Sequence, residues 1–267
     1  MRDRAGTSAS ITVVWTAPVE YLLRIGDTCL VLGQRLGQWC GHAPVLEEDI
    51  ALTNMALDLI GQARALFTHA GRLHGQAFDE DQLAFLRDER DYRNPTIAEL
   101  PGGPRDGDFA FTMLRNAMLA TWLKLLWQRL AQSSDAELAA IAGKAVKEAR
   151  YHQQHAADWV VRLGDGTVES RRRCEAALSR LWLYTPELFE DDAVDAAALA
   201  GGLGPAWSAL RAPWLAEMAE ILAAATLAPP AEAAFRSAGK RGLHSENMGY
   251  LLAEMQHLQR AYPGGAW

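Results

Sequence analysis

Leu52, Met55, Leu59, Ala63, Leu66 and Phe67 fall three or four positions apart, and the same step governs most of this chain. Such steps line side chains along one stripe of an α-helix, so the sequence describes amphipathic helices that must each bury a face. Alternating β-branched runs, the mark of strands, are absent. After Pro18, EYLLRIGDTCLVLGQRLGQW reads as a first long helix ending near Cys40 and Gly41. Pro44 breaks the chain; LEEDIALTNMALDLIGQARALFTHAG resumes it, and Gly71 and Gly75 mark its end. A short helix around Gln82–Asp88 and a loop rich in Pro and Gly, AELPGGPRDGD, lead to a third long helix, FAFTMLRNAMLATWLKLLWQRLAQ. Ser134 opens the fourth, with Glu137 three residues on as a capping box, and its stripe runs Ile141, Ala145, Glu148, His152, His155, Trp159. Later helices are predicted over 169–183, 205–226 and 246–261, the last opening at Ser245. Four long helices with a long crossing loop between the second and third predict an all-α fold, a ferritin-like four-helix bundle with additional C-terminal helices.

The 267 residues, 49% of them hydrophobic, suffice for one sizeable core. Residues 17–267 are predicted to form a single helical domain behind a loose extension over 1–16. A formal net charge of -7 argues against nucleic-acid binding, which needs a dominant basic face. The longest basic cluster, Arg171 to Arg173, reads as a solvated helix start. Cys29, Cys40 and Cys174 are odd in number and lack CxxC spacing, which suits reduced thiols in the cytoplasm. No run approaches the ~20 apolar residues of a membrane span, and Ile11–Trp15 is too short for a signal-peptide core.

The stretch VKEARYHQQHAADW, Val146 to Trp159, raises the question of a metal. A di-iron site in such a bundle takes one glutamate from each of two helices and a Glu-x-x-His pair from each of the other two. Three residues before His42, His69, His74, His152, His155 and His244 stand Trp39, Leu66, Gly71, Ala149, His152 and Arg241, none of them a carboxylate. Only His257 has such a partner, Glu254, on the last helix, where a single match has no second to complete it. Asp58 is followed three residues later by Gly61, and the third helix holds no Asp or Glu. The six-ligand set therefore cannot be completed, and no metal or cofactor is assigned to this chain. Glu48, Asp58, Glu148 and His152 are the candidates for a polar core standing where ligands would stand. Cys40, His42, Glu47 and Glu48 share one turn region, but a Cys and a His two apart rarely both reach one tetrahedral ion.

Other chemistry is sparse: GxSxG, the P-loop and GxGxxG are all absent. In AGKRGLHSEN, Lys240 and Arg241 lie between glycines just before a helix start, with His244 beside them. These three are the candidates for an anion or partner contact. Of nine tryptophans, Trp127 and Trp159 sit at stripe positions, whereas Trp39, Trp207 and Trp214 are candidate interface anchors.

Four segments, QWCGHAPVLEEDIALTNMALDLIGQAR, DERDYRN, KEARYH and GKRGLHSENMGYLLAEMQHLQR, occur in an order that resembles the C subunits of bacterial phenylacetyl-coenzyme A epoxidases. The resemblance runs from about Val19 to the C-terminus; the residues before Pro18 do not share it. It implies a ferritin-like, non-catalytic subunit of a multicomponent monooxygenase in aerobic phenylacetate degradation. It also implies its partners: an A subunit with the di-iron centre and the thioester, a small B subunit, and a reductase with FAD and an iron–sulfur cluster. The implied task of this chain is to hold the A subunit in its active form. Two readings compete with that of a scaffold. One is an oxygenase in its own right with an irregular site at Glu148, His152 and Asp58; the other is a reductase-docking module using Lys144, Lys147, Arg150 and the Lys240–Arg241 loop.

Overall fold

The computed structural model describes residues 10–105, 107–231 and 233–265. Its four long helices are α1 (Ala17–Gly37), α2 (Leu46–Leu73), α5 (Phe109–Leu130) and α6 (Ala136–Gly164). Between α2 and α5 the crossing segment carries α3 (Glu80–Phe85) and α4 (Thr96–Glu99). Beyond α6 come α7 (Val168–Trp182), α8 (Ala193–Ala200), α9 (Arg211–Ala224), α10 (Glu246–Met255) and α11 (His257–Ala261). No β-strand occurs among the described residues, and none of their helices is long and apolar enough to cross a membrane. The all-α bundle expected from the sequence is what forms.

Local chemistry explains several boundaries. The first helix stops at Gly37, short of Cys40, because Gly41 turns the chain at φ 76° and its N–H donates to Asp49 Oδ1 at 2.7 Å. The fourth is capped by Asp135, not Ser134: the Asp135 carboxylate accepts from Leu138 N at 2.9 Å, while the Ser134 hydroxyl turns to Gly201 O. Helix α8 has no counterpart in the sequence reading; its alanines form a helix because Asp192 accepts from Val194 N at its start. The segment predicted as one helix over 246–261 breaks at Gln256, whose side-chain amide reaches Arg87 O and Tyr92 Oη, both at 3.0 Å.

Helices α1 and α2 approach closely at Gly26, where an added Cβ would stand 2.6 Å from a Phe67 ring carbon. In the second hairpin, Phe109 of α5 meets Trp159 of α6 edge-on at 5.0 Å. The α1–α5 side is closed by Trp207, packed between Tyr21 (6.3 Å) and Trp122 (4.7 Å). Trp39, Trp207 and Trp214 are all buried, so the expectation that they anchor an external interface is corrected: each fills the core of its own chain. Trp214 donates to Met118 O at 2.9 Å and packs on Trp182.

The crossing segment is held by a fully buried ion pair, Arg87 with Asp27 of α1. The same guanidinium donates to Leu83 O and to Asp91 O (2.9 Å) and lies over the Tyr92 ring at 4.3 Å. Asp27 also accepts from Arg93 N at 2.8 Å. The expectation of a loose extension over 1–16 falls partly outside the described residues. Residues 10–16 are not loose: Ile11 N donates to Leu86 O at 3.0 Å, Val13 is buried, and Trp15 lies under the Arg93 guanidinium at 4.0 Å.

Removing one member of a buried ion pair strands the other charge, at a cost of about 3–5 kcal/mol. Arg87→Met is therefore expected to destabilise the chain by about that amount in urea unfolding, and Asp27→Leu with Arg87→Met together by clearly less than the two single changes summed.

Candidate functional site

Helices α2 and α6 run antiparallel and meet through polar side chains. From the start of α2, Glu48 Oε2 lies 2.8 Å from His155 Nε2, and Asp58 Oδ2 lies 3.1 Å from His152 Nε2. One turn on, Gln62 Nε2 donates to Glu148 Oε2 at 2.9 Å. Nearer the end of α2, His69 Nε2 lies 2.7 Å from the cap residue Asp135, and Arg72 donates to both oxygens of Glu137 at 2.6 and 2.9 Å. The helices are thus joined by five polar rungs. Cys29 of α1 enters the third, its thiol 3.5 Å from Gln62 Oε1.

All four residues expected to form a polar core belong to this ladder, but not as one cluster. Glu148 and His152, four apart on α6, each face a different residue of α2, and Glu48 pairs with His155. The sequence reading does not name His155, Gln62 or Cys29 as members. A signal for two of the rungs exists: Asp58 and Gln62 are spaced four apart, as are Glu148 and His152, so on antiparallel helices the two pairs meet in register.

The donor set can be tested against a di-iron pair. Helix α5 brings no carboxylate; on α1, Asp27 is committed to Arg87, and Cys29 is the α1 residue that reaches the ladder. On α2, Gln62 occupies Glu148 as an amide donor, and Asp58 is turned to His152. Among the described residues no three His, Cys, Asp or Glu side chains converge in a way that would hold a metal ion. The residues present do not fit the group. Burial raises the Cys29 thiol well above its ordinary range, so it stands protonated as a donor. His257 and Glu254 are both exposed, with the break at Gln256 between them.

The loop expected to receive an anion is turned inward. Lys240 is 3% exposed; its ammonium donates to Glu190 O, lies 3.4 Å from Asp195 and sits over the Trp207 ring at 4.8 Å. Asp195 and Asp192 of the α8 start also hold Arg24 of α1, at 3.2 and 2.7 Å. The His244 side chain is fully buried, its Nδ1 2.7 Å from Glu99 Oε2 and its Nε2 3.1 Å from Tyr92 O. Glu99 further accepts from Ser245 N at 2.6 Å and Asn94 Nδ2 at 2.9 Å, so one buried carboxylate ties the C-terminal segment to the crossing segment. Of the three candidates only Arg241 is exposed. Lys240 is therefore withdrawn from any basic patch with Lys144, Lys147 and Arg150, which do lie on the surface of α6. All three cysteines are free thiols, Cys29 and Cys174 buried and Cys40 exposed.

The sequence profile of the family described as phenylacetic acid catabolic protein matches residues 1–267. The chain belongs to that family. It is also 49% identical over 247 residues to the C subunit of the 1,2-phenylacetyl-CoA epoxidase of Escherichia coli (strain K12), an alignment covering 92% of this chain and 98% of that protein. The resemblance read from the four sequence segments is borne out, and its limit is corrected: the match to the family includes the residues before Pro18. In this member of the phenylacetic acid catabolic family, the α2–α6 face carries mutual hydrogen bonds where a bundle of this architecture can carry metal ligands.

Two of the buried histidines have opposite pH signatures. Burial lowers the His152 pKa, outweighing the bond to Asp58. His152 therefore contributes stability that is full above the unfolded value of ~6.5 and is lost as the pH falls toward its folded pKa. For His244, burial opposes the charge, but the hydrogen bond to Glu99 and that carboxylate's charge outweigh it, so the pKa is raised. Its contribution is full below ~6.5 and lost as the pH rises through the folded pKa. In urea unfolding between about pH 5 and 8.5, His152→Gln is expected to flatten the acid limb of stability against pH and His244→Gln the alkaline limb.

Proposed function

We propose that this protein is a non-catalytic subunit of a cytoplasmic phenylacetyl-coenzyme A epoxidase, packed against a homologous subunit that carries the di-iron centre and holding it in its active form. The observation that carries this reading is the α2–α6 ladder: Glu48, Asp58, Glu148 and His152, which stand where ligands would converge, are each bonded to another side chain of the same molecule. A carboxylate bonded to an amide, as Glu148 is to Gln62, satisfies the requirement for a buried partner without metal. The Escherichia coli relative is a subunit of an epoxidase, which supports both the reaction and the existence of partner subunits. A further support is the outer face of α2, where Leu46, Ile50 and Leu57 share one stripe and each is more than half exposed. Apolar side chains grouped in this way mark contact surfaces.

In this reading the chain binds no cofactor itself. FAD and the iron–sulfur cluster belong to the reductase, and the acyl thioester is handled by the catalytic partner. What this chain supplies is a rigid helical surface, and the buried bonds of the ladder contribute packing specificity more than net stability.

The test is elemental analysis of iron, on this chain alone and on the chain co-expressed with the proposed catalytic subunit. The lone chain is expected to be free of iron and the co-purified pair to contain it. A lone chain holding about two irons per molecule would overturn the reading and make this an oxygenase in its own right.

A further inference from the structure

His74 closes the C-terminal end of α2 and is buried, yet among the described residues neither of its ring nitrogens meets an acceptor. Val14 N–H, from the extended strap over residues 10–16, donates to Nε2 at 2.7 Å. Gln76 N–H faces Nδ1 at 3.4 Å. The ring is stacked on Phe78 at 5.0 Å, in a turn where Ala77 is held at φ 51°. An imidazole with a backbone N–H on each side can satisfy only one of them, through the single lone pair of its neutral form. The shorter contact assigns that lone pair to Nε2 and the proton to Nδ1.

We propose that His74 is an acid-released latch for the N-terminal strap. Protonation places a second N–H on the ring, directly opposed to Val14 N–H, so an attractive contact becomes donor against donor. Among the described residues no neighbouring charge offsets this. The strap residues Ser10 to Thr16 include no titratable side chain. On α2, His69 and Arg72 are engaged by Asp135 and Glu137. Beyond the turn, Asp79 caps Gln82 N, Glu80 pairs with Arg64, and Asp81 is exposed. Among the described residues none of these lies within ion-pair distance of His74. A protonated ring has no lone pair left for either backbone N–H, so the bond that holds the strap is lost.

Release is local. Val13, buried beside the latch, becomes exposed, while the strap stays tethered on both sides: Ile11 N to Leu86 O, Ser10 Oγ to Asp88 at 2.6 Å, and Trp15 under Arg93. The latch therefore frees Val14 from the end of α2 and uncovers Val13 without unfolding the bundle.

Hydrogen exchange read by mass spectrometry on the full chain tests this, comparing the peptide over 10–16 at about pH 7.5 and pH 5.5 after scaling for the chemical exchange rate. The native chain is expected to lose up to about tenfold of its strap protection on acidification. His74→Gln, whose amide oxygen accepts from Val14 N–H at either pH, is expected to keep that protection. Equal protection of the native strap at both pH values, or the same loss in His74→Gln, would overturn the proposal. Nitrogen NMR of the native His74 ring at pH 7.5 decides independently of any variant: a proton on Nδ1 is expected, and a proton on Nε2 sinks the latch.

Discussion

The buried pair of Asp27 and Arg87 is the constraint on which the rest of the architecture depends. The crossing segment between α2 and α5 holds only short helical pieces, and although Leu83, Tyr92, Ile97 and Leu100 enter the core, no long amphipathic helix sets its path. A guanidinium with carboxylate, carbonyl and aromatic partners on all sides overcomes its desolvation and nails that segment to the middle of α1. Downstream consequences follow in order. With residues 87–93 fixed, α4 can present Glu99 to His244 and Ser245, and Thr96 N can bond Glu187 at 2.9 Å. Glu187 in turn receives Ser237 Oγ and Lys240 N. Two buried carboxylates thus organise a C-terminal region that has no long helix of its own.

The bundle proper divides into two kinds of contact. The α1–α2 hairpin is closed by apolar side chains and glycine, and α5–α6 by ring stacking together with Gln153, which reaches Thr121 at 3.0 Å. The α2–α6 side relies on the ladder. Its imidazoles and carboxylates are the residue types from which metal sites are made, but here each is directed at a protein partner. The resulting face is polar, and its carboxylates are bonded across the two helices.

Much of this is legible in the amino-acid sequence. The three- and four-residue steps locate the four long helices, and the histidine inventory with the carboxylate-free third helix points to an incomplete ligand set. What cannot be read there are partners set by tertiary approach. Asp27 looks like one more helix carboxylate, since nothing local couples it to an arginine 60 positions away. Lys240 and His244 sit in a glycine-flanked polar segment, the usual signature of an exposed loop; their burial depends on Asp195 and Glu99, distant in sequence. Asp135 displaces Ser134 as the cap because Ser134 is drawn to Gly201. Tryptophans that suggest an interface are core, because the C-terminal helices bring that core with them.

The ladder also bears on how such a sequence can change over time. A rung joins two side chains from distant parts of the chain, and neither is comfortable without the other: losing Gln62 leaves Glu148 half-buried with less to hold it, and losing Asp58 leaves His152 enclosed. Drift at 48, 58 and 62 is therefore coupled to drift at 155, 152 and 148. Descendants of this chain would exchange whole rungs, amide for carboxylate or imidazole for hydroxyl, in matched pairs across the two helices.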